Sequence, residues 1–163
     1  MKAYWYEKAG AAAEVMQFGE IETPRPGAGE VRVKIAVSAI NPTDWKRRRV
    51  GRELGRFQRI IPNNDGSGVI DEVGAGVDAS RLGERVWIFG AQALRPMGTA
   101  AEYCVLPARQ ARHLADGQSF EDGACLGVPA VTAHRGLFAD GEIAGQTILV
   151  TGGAGRVGRY AVQ

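Results

Sequence analysis

Alternation of apolar and polar positions marks the first two thirds of the chain. Val31, Val33, Ile35 and Val37 alternate with Arg32, Lys34, Ala36 and Ser38. A period of two carried by β-branched residues predicts a half-buried strand. The turn cluster Pro24–Gly29 precedes it. Further strands are predicted over 68–73, closed by Gly74-Ala75-Gly76, over 85–89 after the Leu82-Gly83-Glu84 turn, and over 101–105. Strands at this spacing predict a small all-β barrel.

The pattern changes near residue 119. Ser119-Phe120-Glu121-Asp122 has the form of a capping box, in which the serine hydroxyl accepts a free helix N–H. Helical sequence then runs through Leu126, is expected to break at Pro129, and resumes to about Phe138. Ile148-Leu149-Val150 predicts a short, fully apolar strand of the kind found in parallel sheets covered on both faces. The expected architecture is α/β overall: a β-barrel over residues 1–122, then linking helices and the first βα unit of a Rossmann domain over 123–163. The predicted last helix reaches the final residue, Gln163, and one βα unit cannot bury its own faces. The chain is therefore expected to be a truncated front part of a longer enzyme.

Composition narrows the picture. Glycine supplies 23 of 163 residues, about twice ordinary usage, with no collagen-like period. Twenty basic and 18 acidic residues leave a net charge of +2, which demands no polyanionic partner. No apolar run approaches the roughly 20 residues that span a bilayer, and the first residues carry no apolar signal core. A cytoplasmic protein with no membrane partner is the expectation. Two cysteines, Cys104 and Cys125, form no disulfide framework and are expected to be reduced.

The chemistry is concentrated in Thr151-Gly152-Gly153-Ala154-Gly155-Arg156-Val157-Gly158. Gly153, Gly155 and Gly158 fit the dinucleotide fingerprint, with a predicted strand before and a helix after. Glycine lets the backbone approach a pyrophosphate, whose charge then sits at a helix N-terminus. A structural turn is the plainer alternative.

Several further stretches, in this order, carry a family resemblance: Asn41-Pro42-Thr43-Asp44, Asp65-Gly66-Ser67-Gly68-Val69-Ile70, Leu82-Gly83-Glu84-Arg85-Val86, Ala101-Glu102-Tyr103 and Gly127-Val128-Pro129-Ala130-Val131-Thr132-Ala133. With the glycine loop they resemble the N-terminal half of the medium-chain dehydrogenase/reductase superfamily, and within it the zinc-independent quinone oxidoreductases. The resemblance implies a GroES-like barrel, a Rossmann domain and an active site in the cleft between them. It also implies NADPH as cofactor, a quinone or enone as small-molecule substrate, and a homodimer at full length. Zinc-dependent relatives carry cysteine where this chain has Asn41, His-Glu at Asn64-Asp65, and cysteine at Val128. Zinc takes thiolate, imidazole or carboxylate, so only Asp65 could ligate, and no metal is expected. A site made of Cys104, His113, Cys125 and His134 matches no known spacing. Without a Lewis acid, reduction of an electron-poor acceptor is easier than oxidation of an alcohol.

The resemblance also distributes roles. Asn41, Trp45 and Thr132 are the candidate catalytic residues: an amide donor to a carbonyl, a ring that stacks on a quinone, and a hydroxyl near the nicotinamide. Pro42, Thr43 and Asp44, with Gly153, Gly155, Arg156, Val157 and Gly158, are the candidate cofactor contacts. The plain alternatives are a turn asparagine, a helix-capping aspartate, a core aromatic and an intrahelical hydroxyl. His134 stands where a tyrosine is frequent, and Lys46 departs from a tyrosine seen in some relatives. The Arg156 side chain is expected to point to solvent or to a phosphate. Lys46, Arg47, Arg48, Arg49, Arg52, Arg56 and Arg59 make a basic run opposed only by Glu53. A solvated face near the cleft mouth is expected there, and nucleic-acid binding is not. The alternative functions are an enoyl-thioester reductase and a non-catalytic barrel or nucleic-acid-binding fragment.

Overall fold

A computed structural model describes residues 1–163. The strands β1 (Lys2–Trp5) and β2 (Gln17–Glu20) form an antiparallel ribbon, with α1 (Ala12–Val15) between them. Five more strands form the main sheet: β3 (Glu30–Ala39), β4 (Asp65–Val73), β5 (Arg85–Ile88), β6 (Tyr103–Pro107) and β7 (Ala111–His113). Their order is β6-β3-β4-β5-β7, every pairing is antiparallel, and the sheet does not close on itself. Isolated bridges from Ala3 to Ala101 and from Tyr6 to Ile60 tie the ribbon to the rest.

The alternation in β3 decides how the sheet faces its core. Val31 and Val33 are fully buried, together with Ile70, Val86, Ile88, Cys104 and Leu106 from the neighbouring strands. Burying each large aliphatic side chain contributes about 1.5–3 kcal/mol. Arg32, between the two valines, points outward and forms ion pairs with Asp71 (2.8 Å) and Glu72 (2.6 Å) on β4. Two register shifts between β3 and β4, at Arg32/Val33 and Ile35/Val37, bend the pair and wrap the sheet around these side chains.

Three expectations are corrected. The strand predicted over 101–105 begins at Tyr103, because Ala101 bridges to Ala3 and the Glu102 carboxylate accepts the Lys2 N–H at 2.7 Å. The helical break lies at Cys125–Leu126, between α3 (Phe120–Ala124) and α4 (Gly127–Phe138). Pro129 is in the first turn of α4, where its missing N–H has no intrahelical partner to lose. Finally, Ile148–Val150 forms no strand. A strand is made by hydrogen bonds to a neighbour, and no other strand pairs with this segment. The predicted cap is present: Ser119 Oγ accepts the Asp122 N–H at 3.1 Å.

Two further helices complete the frame, α2 (Pro42–Val50) and α5 (Arg156–Val162). α3 lies on the sheet against β3, β4 and β5, and α4 packs on α5. Ser67 Oγ in β4 donates to the Phe120 carbonyl at 2.5 Å and pins α3 in place. The helices thereby bring the glycine loop to the end of β3 and the start of β4.

Candidate active site

Four polar side chains converge where α2 meets the start of β4. Asn41, Asp44, Asn64 and Asp65 are 5%, 3%, 6% and 1% exposed. Local sequence explains the placement. Pro42 at the first helical position presets α2, and Asn41 caps it in a capping box with Asp44. Asn63 turns the chain at φ 77° just before Asn64 and Asp65, a left-handed conformation that asparagine tolerates better than most residues. The Asn63 Nδ2 donates to Ser38 Oγ at 2.9 Å, and its carbonyl accepts the Thr99 N–H at 2.9 Å.

The network is nearly complete. Asp44 Oδ2 accepts the Asn41 backbone N–H at 2.7 Å, and Asp44 Oδ1 accepts from Asn64 Nδ2 at 2.7 Å. Asp65 Oδ2 accepts from Asn41 Nδ2 at 2.8 Å and from the Val128 N–H at 2.5 Å. Asp65 Oδ1 is buried and has no partner. Burial raises the Asp65 carboxyl to about 6, against the lowering effect of the Val128 and Asn41 bonds. Burial also raises the Asp44 carboxyl. Gly127 makes room for this carboxylate: a Cβ there would lie 2.2 Å from Asp65 Oδ1. A residue with a side chain cannot begin α4 so close to the aspartate.

A cleft of about 400 Å³ opens beside the network, and its walls include Asn41, Asp65, Cys125, Arg156, Arg159 and Tyr160. The first two come from the junction of α2 with β4 and the last three from α5. Tyr160 Oη donates to the Cys125 carbonyl at 3.2 Å, and burial raises its phenol pKa. The glycine loop reaches α5 with Gly152 at φ 70° and Gly155 as the N-cap. A Cβ on Gly158 would stand 2.2 Å from the Gly152 carbonyl, so only glycine permits this loop–helix contact. Bare backbone followed by Arg156 and Arg159 is a donor set suited to a dinucleotide phosphate.

The predicted residues divide. Asn41 and Arg156 line one cleft. The Arg156 side chain does not run free to solvent: its Nη1 donates to the Ile40 carbonyl at 3.3 Å. Pro42 and Thr43 are exposed on the first turn of α2, with Asp44 buried behind them. Trp45 lies in a second pocket of about 270 Å³ with Tyr4, Ile40, Asp44 and Arg48. The Lys46 ammonium sits 5.6 Å from the Trp45 ring centroid. Thr132 is exposed on α4, outside the walls of either cleft. Gly153, Gly155, Val157 and Gly158 form the loop and the first turn of α5, beside the cleft. His134 is exposed and stacks on Phe138 at 4.9 Å.

Cys104 is packed in the sheet core, where burial raises its thiol to about 12. Cys125 is exposed. No three His, Cys, Asp or Glu side chains converge as a metal site would require. Much of the basic run is engaged within the chain: Arg47 pairs with Glu53 at 3.5 Å and Arg59 with Glu7 at 3.0 Å. Arg48 donates to the Gly10 carbonyl at 3.4 Å, and Arg56 lies over the Phe57 ring.

Sequence reasoning missed Asp65 as the partner of Asn41, and it missed Arg159 and Tyr160. The latter two were within reach, because positions three and four after Arg156 share its helix face. The Asn41–Asp65 bond spans 24 residues and needed the fold.

Comparison with known proteins follows the same lines. Residues 27–116 match the alcohol dehydrogenase GroES-like domain. A chloroplastic quinone-oxidoreductase homolog of Spinacia oleracea is 33% identical over 171 residues, covering 100% of this chain and 51% of the relative. The 2-methylene-furan-3-one reductase of Solanum lycopersicum is 31% identical over 173 residues, covering 100% of this chain and 43% of the relative. A mycobacterial protein solved in complex with NADPH superposes with a TM-score of 0.81 at 26% identity, covering 99% of this chain and 48% of that one. The chain spans about half the length of the curated relatives it matches. No helix is long and apolar enough to cross a membrane.

Proposed function

The chain belongs to the alcohol dehydrogenase GroES-like domain family, and from that membership we propose that it serves an oxidoreductase that reduces a quinone or a conjugated carbonyl with NADPH and without a metal. The observation that carries the proposal is the shared cleft: the Asn41–Asp65 pair beside the main sheet faces Arg156, Arg159 and Tyr160 of the helix that follows the glycine loop. NADPH, when bound, supplies the hydride. The glycine loop, Arg156 and Arg159 are the residues that would hold its phosphates.

The chain's own chemistry is electrostatic. Asn41 Nδ2 donates one N–H to Asp65 and keeps a second for an acceptor in the cleft. A carbonyl oxygen that gains negative charge during reduction is stabilised by such a fixed donor. Amides at Asn41 and Asn64 and an aliphatic side chain at Val128 replace the thiolates and imidazole that zinc needs, so polarisation falls to hydrogen bonds. The Asp65 carboxyl in the cleft wall is engaged with Asn41 and Val128, and the proton that completes reduction comes from solvent. The 2-methylene-furan-3-one reductase among the relatives supports a conjugated carbonyl as the substrate class.

The test is oxidation of NADPH with a simple benzoquinone, in chelator, by the polypeptide that carries this chain. Turnover is expected to survive the chelator and to fall about 10²–10³-fold in Asn41→Ala, the cost of one oxyanion donor. Turnover that the chelator abolishes and zinc restores would overturn the proposal.

A further inference from the structure

We infer that Asp65 is a positioning residue, whose Oδ2 locks the Asn41 amide so that an N–H, and not the carbonyl oxygen, is offered to the cleft. The inference rests on the reading of Asn41 as the substrate-facing donor. A carboxylate only accepts hydrogen bonds, so the end of the Asn41 amide that lies 2.8 Å from Asp65 is Nδ2. The other end, Oδ1, is turned toward the first turn of α2 in capping-box geometry, where the Asp44 N–H donates to the Asn41 backbone carbonyl at 3.0 Å. With Nδ2 held on Asp65 and Oδ1 turned toward α2, the second Nδ2 proton is the donor this side chain keeps free. The side chain lines the cleft, and its donor can meet only an acceptor there. A ligand that presents a donor at this point leaves two donors facing each other, which costs the full desolvation of an unmade bond.

The carboxylate is itself held for this task. Oδ2 takes two donors, Asn41 Nδ2 and the Val128 N–H, whereas Oδ1 takes no well-formed bond, although the Gly90 N–H lies close enough to favour the charged carboxylate. A proton taken up by Asp65 goes to Oδ1 and leaves Oδ2 an acceptor. The lock therefore holds in both charge states, and protonation only weakens a charge-assisted bond. Gly127 keeps the Oδ1 side clear, and the Thr99 hydroxyl donates to the Asp65 carbonyl at 2.6 Å and fixes its backbone. The titratable and charged groups around Asp65 are Asp44 on α2, Cys125 after α3, and Arg156, Arg159 and Tyr160 on α5.

The test reads the amide directly and needs no turnover, so its failure is distinct from failure of the reductase assay. In the isotope-labelled chain, the two Asn41 side-chain protons are expected to be well separated. The Asp65-bonded one should exchange at least about tenfold more slowly than the side-chain amide of exposed Gln58. Its shift should follow the Asp65 carboxyl carbon, with a shared midpoint near pH 6. In Asp65→Asn the separation should persist, because an amide oxygen can take the place of Oδ2, and the pH response should vanish. In Asp65→Ala the pair should collapse to the exchange and shifts of a free amide. If Asp65→Ala does not fold, the wild type and Asp65→Asn decide. An averaged, fast-exchanging Asn41 pair in the wild type overturns the inference. So does a pH response that Asp65→Asn leaves intact.

Discussion

The five-stranded sheet and the segment after α4 contain similar apolar residues but place them differently. In the sheet, Val31, Val33 and Ile88 are 0% exposed. In the later segment, Ile148, Leu149 and Val162 are 42%, 88% and 68% exposed. Val31 and Ile88 each have strands beside them, and Ile148–Val150 has none. The contrast teaches that an apolar strand pattern is only an offer of pairing. Burial follows when a neighbour supplies the other half of the hydrogen bonds.

The sharpest way to break this comparison is to delete side chains on both sides of it. Ile88→Ala is expected to cost about 2–5 kcal/mol, the usual range for a closed core site, and Leu149→Ala less than about 0.5 kcal/mol. Denaturant midpoints of the two variants check both values. Equal losses would show that Leu149 is packed.

The second effect lies in the buried polar network. Burial raises the Asp65 carboxyl from an ordinary 3.8 to about 6, so the folded chain holds this proton more tightly than the unfolded one. The resulting stability is fully present below about pH 4 and is lost as pH rises through 6, a change of about 3 kcal/mol. Asp44, also raised by burial, acts in the same direction. Between pH 4 and 7 the wild type should lose about 2 kcal/mol relative to Asp65→Asn, measured by denaturation at each pH. A constant gap would contradict the account of Asp65.

Two glycines of α4 give the smaller effects. Gly127→Ala forces a methyl into the Asp65 carboxylate and should cost about 1–3 kcal/mol. Gly136→Ala on the same helix meets nothing within 4 Å and should stabilise by about 0.5–1 kcal/mol. Thermal midpoints that move in opposite directions would confirm that only one of them is a close-approach position.

What could be read from sequence depended on range. The β3 alternation, the Ser119 cap and the glycine loop are written in adjacent residues, and each appears where the pattern placed it. Strands β1, β2 and β7, of four, four and three residues, were not predicted, whereas the equally short β5 was legible from the turn before it. Their pairing comes from partners far along the chain. Pro129 was misread because a proline in the first turn starts a helix as readily as it breaks one. Within the candidate site, Asn41 and Arg156 were legible as motif residues. Their working surroundings were not: the Asp65 acceptor, the clearance at Gly127 and the Ile40 carbonyl that takes the Arg156 guanidinium all join residues distant in sequence. Trp45 and Thr132 lie outside the walls of the cleft that holds Asn41.

The most direct test of the account is a titration of the isotope-labelled chain with NADPH, following backbone and side-chain amide shifts. The account predicts that the largest changes fall on Asn41, Gly153 to Gly158, Arg159 and Tyr160, the two walls of one cleft. Changes confined to the Trp45 pocket, or none at all at concentrations that saturate a relative, would contradict it.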